Sequence, residues 1–274
     1  MSATASDSSD FDHKYLVPAL ARGLTLLAQF NHQDRRLSAP ELARRLALPR
    51  STVFRLLSTL ESMGYVEKEP GGYEYKLGLA VLRLGFDYLA SLELTELGAP
   101  ILDRLRDAVG LSCNLVVRDG RAIVYVAKSA SPTPFTSSVK VGTRLPAHAT
   151  VLGRILLEDL DLDALRALYP EPQLEAFSPN TPATVDALFD LIQQDKGKGY
   201  VVQESFYEAN MFTIAAPVRD GSGQVIAALG ATAPSSRFQP DALDEWVATV
   251  RSAADELSRL LNYSPGRHLA VQAV

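Results

Sequence analysis

The chain has a single cysteine, Cys113, so no disulfide can form within it. That usage fits a reducing compartment, the cytoplasm. It has no uninterrupted apolar run long enough to span a bilayer, so no membrane-spanning helix is expected, and no membrane partner is assigned. Its opening residues, MSATASDSSDFDH, have no apolar core, so they do not read as a signal peptide. Their acidic, Ser-rich composition predicts a disordered tail over 1–14, and 264–274 reads as a second loose tail. Only four histidines are present. His13, His32 and His268 lie far from His148 in sequence, so no metal site is expected. His148 reads as a structural histidine bonding nearby backbone. Cys113, on an expected strand, reads as packing and not as a nucleophile. There is no Gly-x-Ser-x-Gly elbow, no phosphate-binding Gly-x-x-x-x-Gly-Lys-Ser/Thr loop and no His-Glu-x-x-His. No catalytic residue and no cofactor is therefore assigned.

The chain also lacks an overall positive charge. Its 274 residues carry a formal net charge of -5. That charge is unevenly spread. Lys14 to Leu77 holds 10 Lys and Arg against 6 Asp and Glu, or +4. Residues 1–13 give -3 and Gly78 to Val274 gives -6. Positive charge is concentrated in one segment, as attraction to phosphate requires. The excess is modest, so one copy should bind a phosphate-bearing polyanion weakly and dimers or tetramers are expected. With 47% hydrophobic residues, the chain can bury two cores.

The positive segment contains LSAPELARRLALPRSTVFRLLSTLESMGYVEKEPGGYEY, from Leu37 to Tyr75. Ser38 with Glu41 three residues on is a capping box, so a helix starts there, with Leu42, Ala43 and Leu46 on its apolar face. Leu48-Pro49 breaks it. Val53, Leu56, Leu57, Leu60 and Met63 then recur at i, i+3, i+4 and i+7, predicting a second helix that Gly64 ends. Two runs, Tyr65 to Glu69 and Tyr73 to Leu77, flank Pro70-Gly71-Gly72 and read as a β-hairpin. Helix, turn, helix, hairpin is a winged helix-turn-helix, whose second helix enters the DNA major groove. Arg50, Ser51, Thr52 and Arg55 occupy its first turns and are the expected DNA contacts. Arg can bond guanine O6 and N7, and Ser or Thr can take phosphate or base. Arg44, Arg45 and Lys68 are expected phosphate contacts.

Pro18 to Phe30 reads as a preceding helix, with Leu20, Leu24, Leu27 and Ala28 packed beneath the other two. After the hairpin, Leu79 to Leu89 is apolar on most of its surface and needs more than one partner. It reads as a linker helix, over 78–92, that pairs with its copy in a second subunit. Helix Glu93 to Val109 follows, and then the period changes. Ser112 to Arg118 and Arg121 to Ala127 flank an Asp119-Gly120 turn. Thr136 to Val141 and Tyr200 to Glu204 read as strands. Phe212 to Arg219 and Gln224 to Ala233 form a second hairpin. Ala149 to Leu157, Asp161 to Leu168, Val185 to Lys196 and Pro240 to Leu261 read as helices. The domains are thus 15–77 for the reader, 78–92 for the linker helix and 93–263 for an α+β domain, an antiparallel sheet flanked by helices.

Three motifs in order resemble the isocitrate lyase regulator (IclR) family of bacterial transcription factors. They are Leu42-Ala43-Arg44-Arg45-Leu46 running into Leu48-Pro49-Arg50-Ser51-Thr52-Val53-Phe54-Arg55-Leu56-Leu57; Val141 to Gly153; and Gly199-Tyr200 with Ile214-Ala215-Ala216-Pro217. The resemblance runs from about Leu16 to Leu261. It implies a GAF-like effector-binding domain after the winged helix, and dimers that assemble into tetramers. It implies an effector pocket using Leu145, Val151, Leu152, Gln203, Thr213, Gly230 and Thr232. Gln203 stands where the family has an acid, and Thr213 where it has a cysteine.

The residues themselves add a chemistry to that pocket. A helix starting at Ala149 has free N–H groups that favour an anion, although Thr150 or His148 could instead cap it. Leu145, Phe212, Thr213 and Thr232 make an apolar lining with hydroxyls, suited to a small organic acid with an apolar or aromatic body. The expectation is a ligand-responsive transcriptional regulator, a homodimer or homotetramer on double-stranded operator DNA. Its effector would be a carboxylate, an aromatic or other catabolic intermediate. Two alternatives are an enzyme with an appended winged helix and a winged-helix protein-interaction module.

Overall fold

The computed structural model describes residues 16–31, 33–69, 71–91, 93–131, 139–204 and 206–263, with backbone alone for 86–91. The chain divides into two units, parted between Ser91 and Leu92.

In the first unit, α1 (Pro18–Leu27) opens on a proline, which has no N–H to leave unpaired there. Gly23 and Leu26 are its buried residues, followed by Phe30. Leu20 and Leu24, expected beneath the other helices, are 61% and 59% exposed, and Ala28 is exposed. The helix is apolar on two sides, so periodicity alone could not choose the core side. After the short β1 (Leu37–Ser38), α2 (Ala39–Arg45) is capped by Ser38, whose Oγ accepts from the Glu41 N–H. The reciprocal half of the capping box is replaced, because the Glu41 carboxylate pairs with Arg44 and Arg45. Leu42 and Ala43 are buried as expected.

The next helix, α3 (Arg50–Ser62), buries Val53 and Leu57, with Leu56 and Leu60 partly buried beside them. Met63, expected on that face, is 57% exposed. Gly64 has φ +75°. It lets the Tyr65 N–H reach the Leu60 carbonyl at 2.8 Å and its own N–H reach Glu61 at 2.9 Å, a Schellman closure. The hairpin β2 (Val66–Lys68) and β3 (Glu74–Leu77) follows. The sheet order is β1-β3-β2, so the wing gains a strand the sequence did not announce. Helix α4 (Leu79–Ser91) ends the unit.

The second unit carries α5 (Glu93–Val109), β4 (Ser112–Asp119), β5 (Ala122–Ser129) and β6 (Arg144–Pro146). Then come α6 (Val151–Leu156), α7 (Leu162–Leu168), α8 (Val185–Lys196), β7 (Val201–Glu204), β8 (Met211–Arg219), β9 (Val225–Pro234) and α9 (Leu243–Leu260). The six strands form one antiparallel sheet of order β6-β5-β4-β9-β8-β7. Helices α6 and α8 share an apolar core with one sheet face, through Val116, Ala215 and Ala228. Helices α5 and α9 pack together on the other, where Phe212 stacks on Trp246.

The turn between β4 and β5 is Gly120-Arg121, since Asp119 still pairs with Ala122. The strand expected over Thr136 to Val141 lies partly outside the described residues. Its described part, Val139 to Val141, is not a strand, and Arg144–Pro146 is the one that pairs with β5. Helix α6 starts at Val151, after a 3₁₀ turn over Ala147–Ala149, and α9 starts at Leu243 after another over Pro240–Ala242. No described helix is long and apolar enough to cross a membrane.

Candidate functional site

Two surfaces carry chemistry, one in each unit. On α3, Val53 and Leu57 turn inward, so the opposite stripe holds Ser51, Phe54, Arg55, Ser58 and Thr59, all exposed. Arg50 is exposed at the helix start, while Thr52 is half-buried at the edge of the stripe. Arg50 and Arg55 form no ion pair among the described residues, and neither does Lys68, exposed on β2. These three cations are available to phosphate or base.

Arg44 and Arg45 are placed differently. Arg45 donates from Nε to Glu41 at 2.7 Å and from Nη1 to Asp34 at 2.8 Å, and Arg44 donates to Glu41 at 2.7 Å. The two guanidiniums hold the Glu41 carboxyl down at about 2, and Arg45 lowers that of Asp34. Arg45 braces α2 against the preceding loop. Arg44 remains 73% exposed and can still turn toward a phosphate.

In the second unit, register builds a polar row. Gln203 pairs with Thr213, and Thr213 with Thr232, so the three side chains share one sheet face. The two threonine hydroxyls are 3.1 Å apart. The neighbouring row is Ala215, Gly230 and Asn114. Leu152 lies over Gly230, where a Cβ would come within 2.8 Å of Leu152 Cδ2. Leu145 packs against the apolar core that holds Val151 and Leu152, and Ala149 is buried. Phe212, next to Thr213 in the chain, faces the other way. Successive strand residues alternate, and its ring lies 5.8 Å from Trp246 and 5.4 Å from Phe238. It is core on the sheet face opposite Gln203, Thr213 and Thr232.

At the start of α6, of the two expectations, the Thr150 cap is the one present. Thr150 Oγ1 accepts from the Gly153 N–H at 3.1 Å, so the helix caps itself. The positive charge in this region comes instead from Arg154, which sequence reasoning passed over. It is 3% exposed. Its Nη1 donates to Gln203 Oε1 at 2.6 Å, and its Nη2 lies 2.9 Å from Asp195. Its guanidinium is 4.7 Å from the centre of the Phe206 ring. Burial lowers its proton affinity, against the pull of Asp195. Arg154 Nε and Asn114 Oδ1 are buried without a hydrogen-bond partner among the described residues. One signal was in the sequence: Arg154 is the only charge in the apolar run from Ala147 to Leu157.

His148 is buried, with Nε2 2.9 Å from the Glu175 carbonyl, a structural role. Burial pushes the Cys113 thiol up to about 12, which leaves it unreactive. Among the described residues, no group of His, Cys, Asp and Glu could hold a metal.

A winged helix with exposed arginines on α3, followed by an antiparallel sheet with a polar row beneath a buried guanidinium, defines a ligand-responsive DNA-binding transcriptional regulator. Two family models match: the IclR helix-turn-helix domain over residues 19–70, and the bacterial transcriptional regulator IclR C-terminal domain over 86–259. The chain belongs to the IclR family of bacterial transcriptional regulators. It is 35% identical over 237 residues to the Pca regulon regulatory protein of Pseudomonas putida, covering 86% of this chain and 81% of the relative. It is 29% identical to the HTH-type transcriptional regulator XynR of Escherichia coli, over 90% of this chain and 98% of XynR. Among solved structures it resembles an IclR homologue from Microbacterium hydrocarbonoxydans in complex with 4-hydroxybenzoate. That match has a TM-score of 0.77 and 26% identity, over 90% of this chain and all of the homologue (100%).

Proposed function

We propose that the regulator works in the cytoplasm as a homodimer or homotetramer, and that its second unit senses a small organic acid. The observation that carries the effector class is the buried Arg154 beside the row of Gln203, Thr213 and Thr232. A guanidinium favours a carboxylate, and hydroxyls between apolar walls suit a small acid with an aromatic or aliphatic body. The complex of the Microbacterium homologue with 4-hydroxybenzoate supports this class. Leu145, Ala149, Val151 and Leu152 form the apolar wall in this reading, and Gly230 leaves room for Leu152.

Arg50, Ser51 and Arg55 contact operator DNA, Thr52 lies at the margin of that contact, and Lys68 neutralises phosphate from the wing. Assembly uses the exposed apolar residues of the first unit. Leu20 and Leu24 on α1 and Leu79, Leu82 and Leu84 on α4 are between 51% and 71% exposed. Apolar surface of that extent is covered by a second copy. Effector binding then changes the placement of paired readers, and with it operator affinity.

Calorimetry of the full chain with a panel of aliphatic and aromatic acids, sugars and amines tests the sensor. Micromolar binding confined to acids is expected. Binding confined to sugars or amines would sink it. Salt-dependent binding to a selected duplex, with no turnover of the acids, separates a regulator from an enzyme or a protein-interaction module.

A further inference from the structure

Phe54 is the fifth residue of α3 and is 60% exposed. A single exposed apolar residue is ordinary on a protein surface. The position of this one is not. It lies on the stripe opposite Val53 and Leu57, one turn after Ser51 and one turn before Ser58. Both serines are short, so the aromatic ring is the longest apolar projection on that line. Arg50 and Arg55, neither in an ion pair among the described residues, flank it. A large apolar group inside a cationic, solvent-facing stripe needs a partner that is anionic around an apolar spot. The major groove offers that combination: phosphates along its rims and, at each thymine, a C5-methyl group on its floor. The early turns of a recognition helix are the part that reaches base edges.

We infer that Phe54 reads the C5-methyl of a thymine, and so sets a base preference separate from any set by the arginines. The inference rests on α3 being the DNA-reading helix, and it adds the base and the atom being recognised.

The test uses the full chain. Duplexes are first selected from a randomised pool. Each thymine of the enriched site is then replaced, one at a time, by deoxyuridine, which removes the methyl and nothing else. The parent should lose about three- to fivefold in affinity at one thymine per half-site, the worth of one buried methyl-sized group. Phe54→Ala should bind the thymine and deoxyuridine forms alike, and Phe54→Leu should keep part of the preference. The inference is overturned if no thymine in the parent site responds, or if Phe54→Ala discriminates as the parent does. It is also overturned if Phe54→Ala loses its cooperative unfolding transition, since the ring would then be a packing residue. Failure of the parent to enrich any duplex would instead remove the DNA-reading role of α3, and this inference with it.

Discussion

Arg154 donates to the Oε1 of Gln203 across 2.6 Å. A carboxylate at position 203 would satisfy the guanidinium outright. Asp195 already faces one side of the guanidinium at 2.9 Å, so a neutral amide at 203 adds no second negative charge there, and Arg154 Nε keeps no hydrogen-bond partner among the described residues. Gln203→Glu should therefore weaken acid binding by more than tenfold, because a negative charge in a partly desolvated site repels a second one. Calorimetry with the best acid of the panel measures it. Equal affinity in the two proteins would mean that the acid does not bind beside Arg154.

The paired hydroxyls of Thr213 and Thr232 give a milder effect. Thr213→Val keeps the volume and removes one hydrogen-bonding group. Loss of a ligand hydrogen bond there should cost roughly 0.5–1.5 kcal/mol of binding free energy. Tryptophan at Val151 is a poorer test, since Val151 is 5% exposed within the core under α6 and the larger ring would overpack it.

On the DNA side, Arg55 and Lys68 should separate. Arg55→Ala should weaken operator binding by about 1–3 kcal/mol and relax the preference at one base pair. Lys68→Ala should weaken all duplexes alike and reduce the salt slope by about one. Arg45→Ala should lower the unfolding temperature of the first unit and leave the salt slope unchanged, because Arg45 is held by Asp34 and Glu41. Affinity measured on specific and random duplexes at several salt concentrations decides among the three. An Arg45 variant with a reduced salt slope would return that residue to the phosphate-contacting set.

Local signals made much of this fold legible. Ser38, Gly64 and the 3.6-residue period fixed α2 and α3, because capping and burial act over a few residues. The short strands β1 and β6 were not legible. Each is held by one partner strand, and nothing in two or three residues announces that pairing. The same holds at the sites. Thr213 and Thr232 read as parts of one lining, and register sets their hydroxyls 3.1 Å apart. Phe212 reads as an apolar part of the same lining, but the pleat sends it and Thr213 to opposite faces. An arginine in a helix reads as surface, and only tertiary packing buries Arg154.

Gly153 illustrates how sharply that packing is fixed. A Cβ there would lie 2.1 Å from the Ala147 carbonyl oxygen, a backbone atom that cannot swing away. Gly153→Ala should push α6 off the 3₁₀ turn before it and cost about 2–4 kcal/mol, by overpacking. Urea unfolding measures it, and a change under about 0.5 kcal/mol, the scatter of neutral surface changes, would show the turn to be compliant.

Just past α6, Glu158 makes stability depend on pH. Its side chain is 5% exposed. It pairs with Arg219 of β8, its carbonyl accepts from Lys196 of α8, and Asp159 and Asp195 lie close enough to oppose its charge. Burial outweighs Arg219 and pushes the carboxyl from its ordinary 4.5 to about 7. The folded chain thus holds a proton that the unfolded chain has released. Below about pH 4.5 both states are protonated and there is no penalty. As pH rises toward 7 the unfolded state gains, and the second unit should lose stability on the order of 3 kcal/mol before levelling off. Glu158→Gln should lack that decline. The only tryptophan, Trp246, lies in α9 of the same unit, so its fluorescence during urea unfolding reports the relevant transition. Profiles recorded from about pH 4 to 8 should converge at the acid end and part toward neutrality, with the glutamine variant the more stable. Parallel profiles would mean that Glu158 is ionised in the folded protein throughout, held down by Arg219 despite its burial.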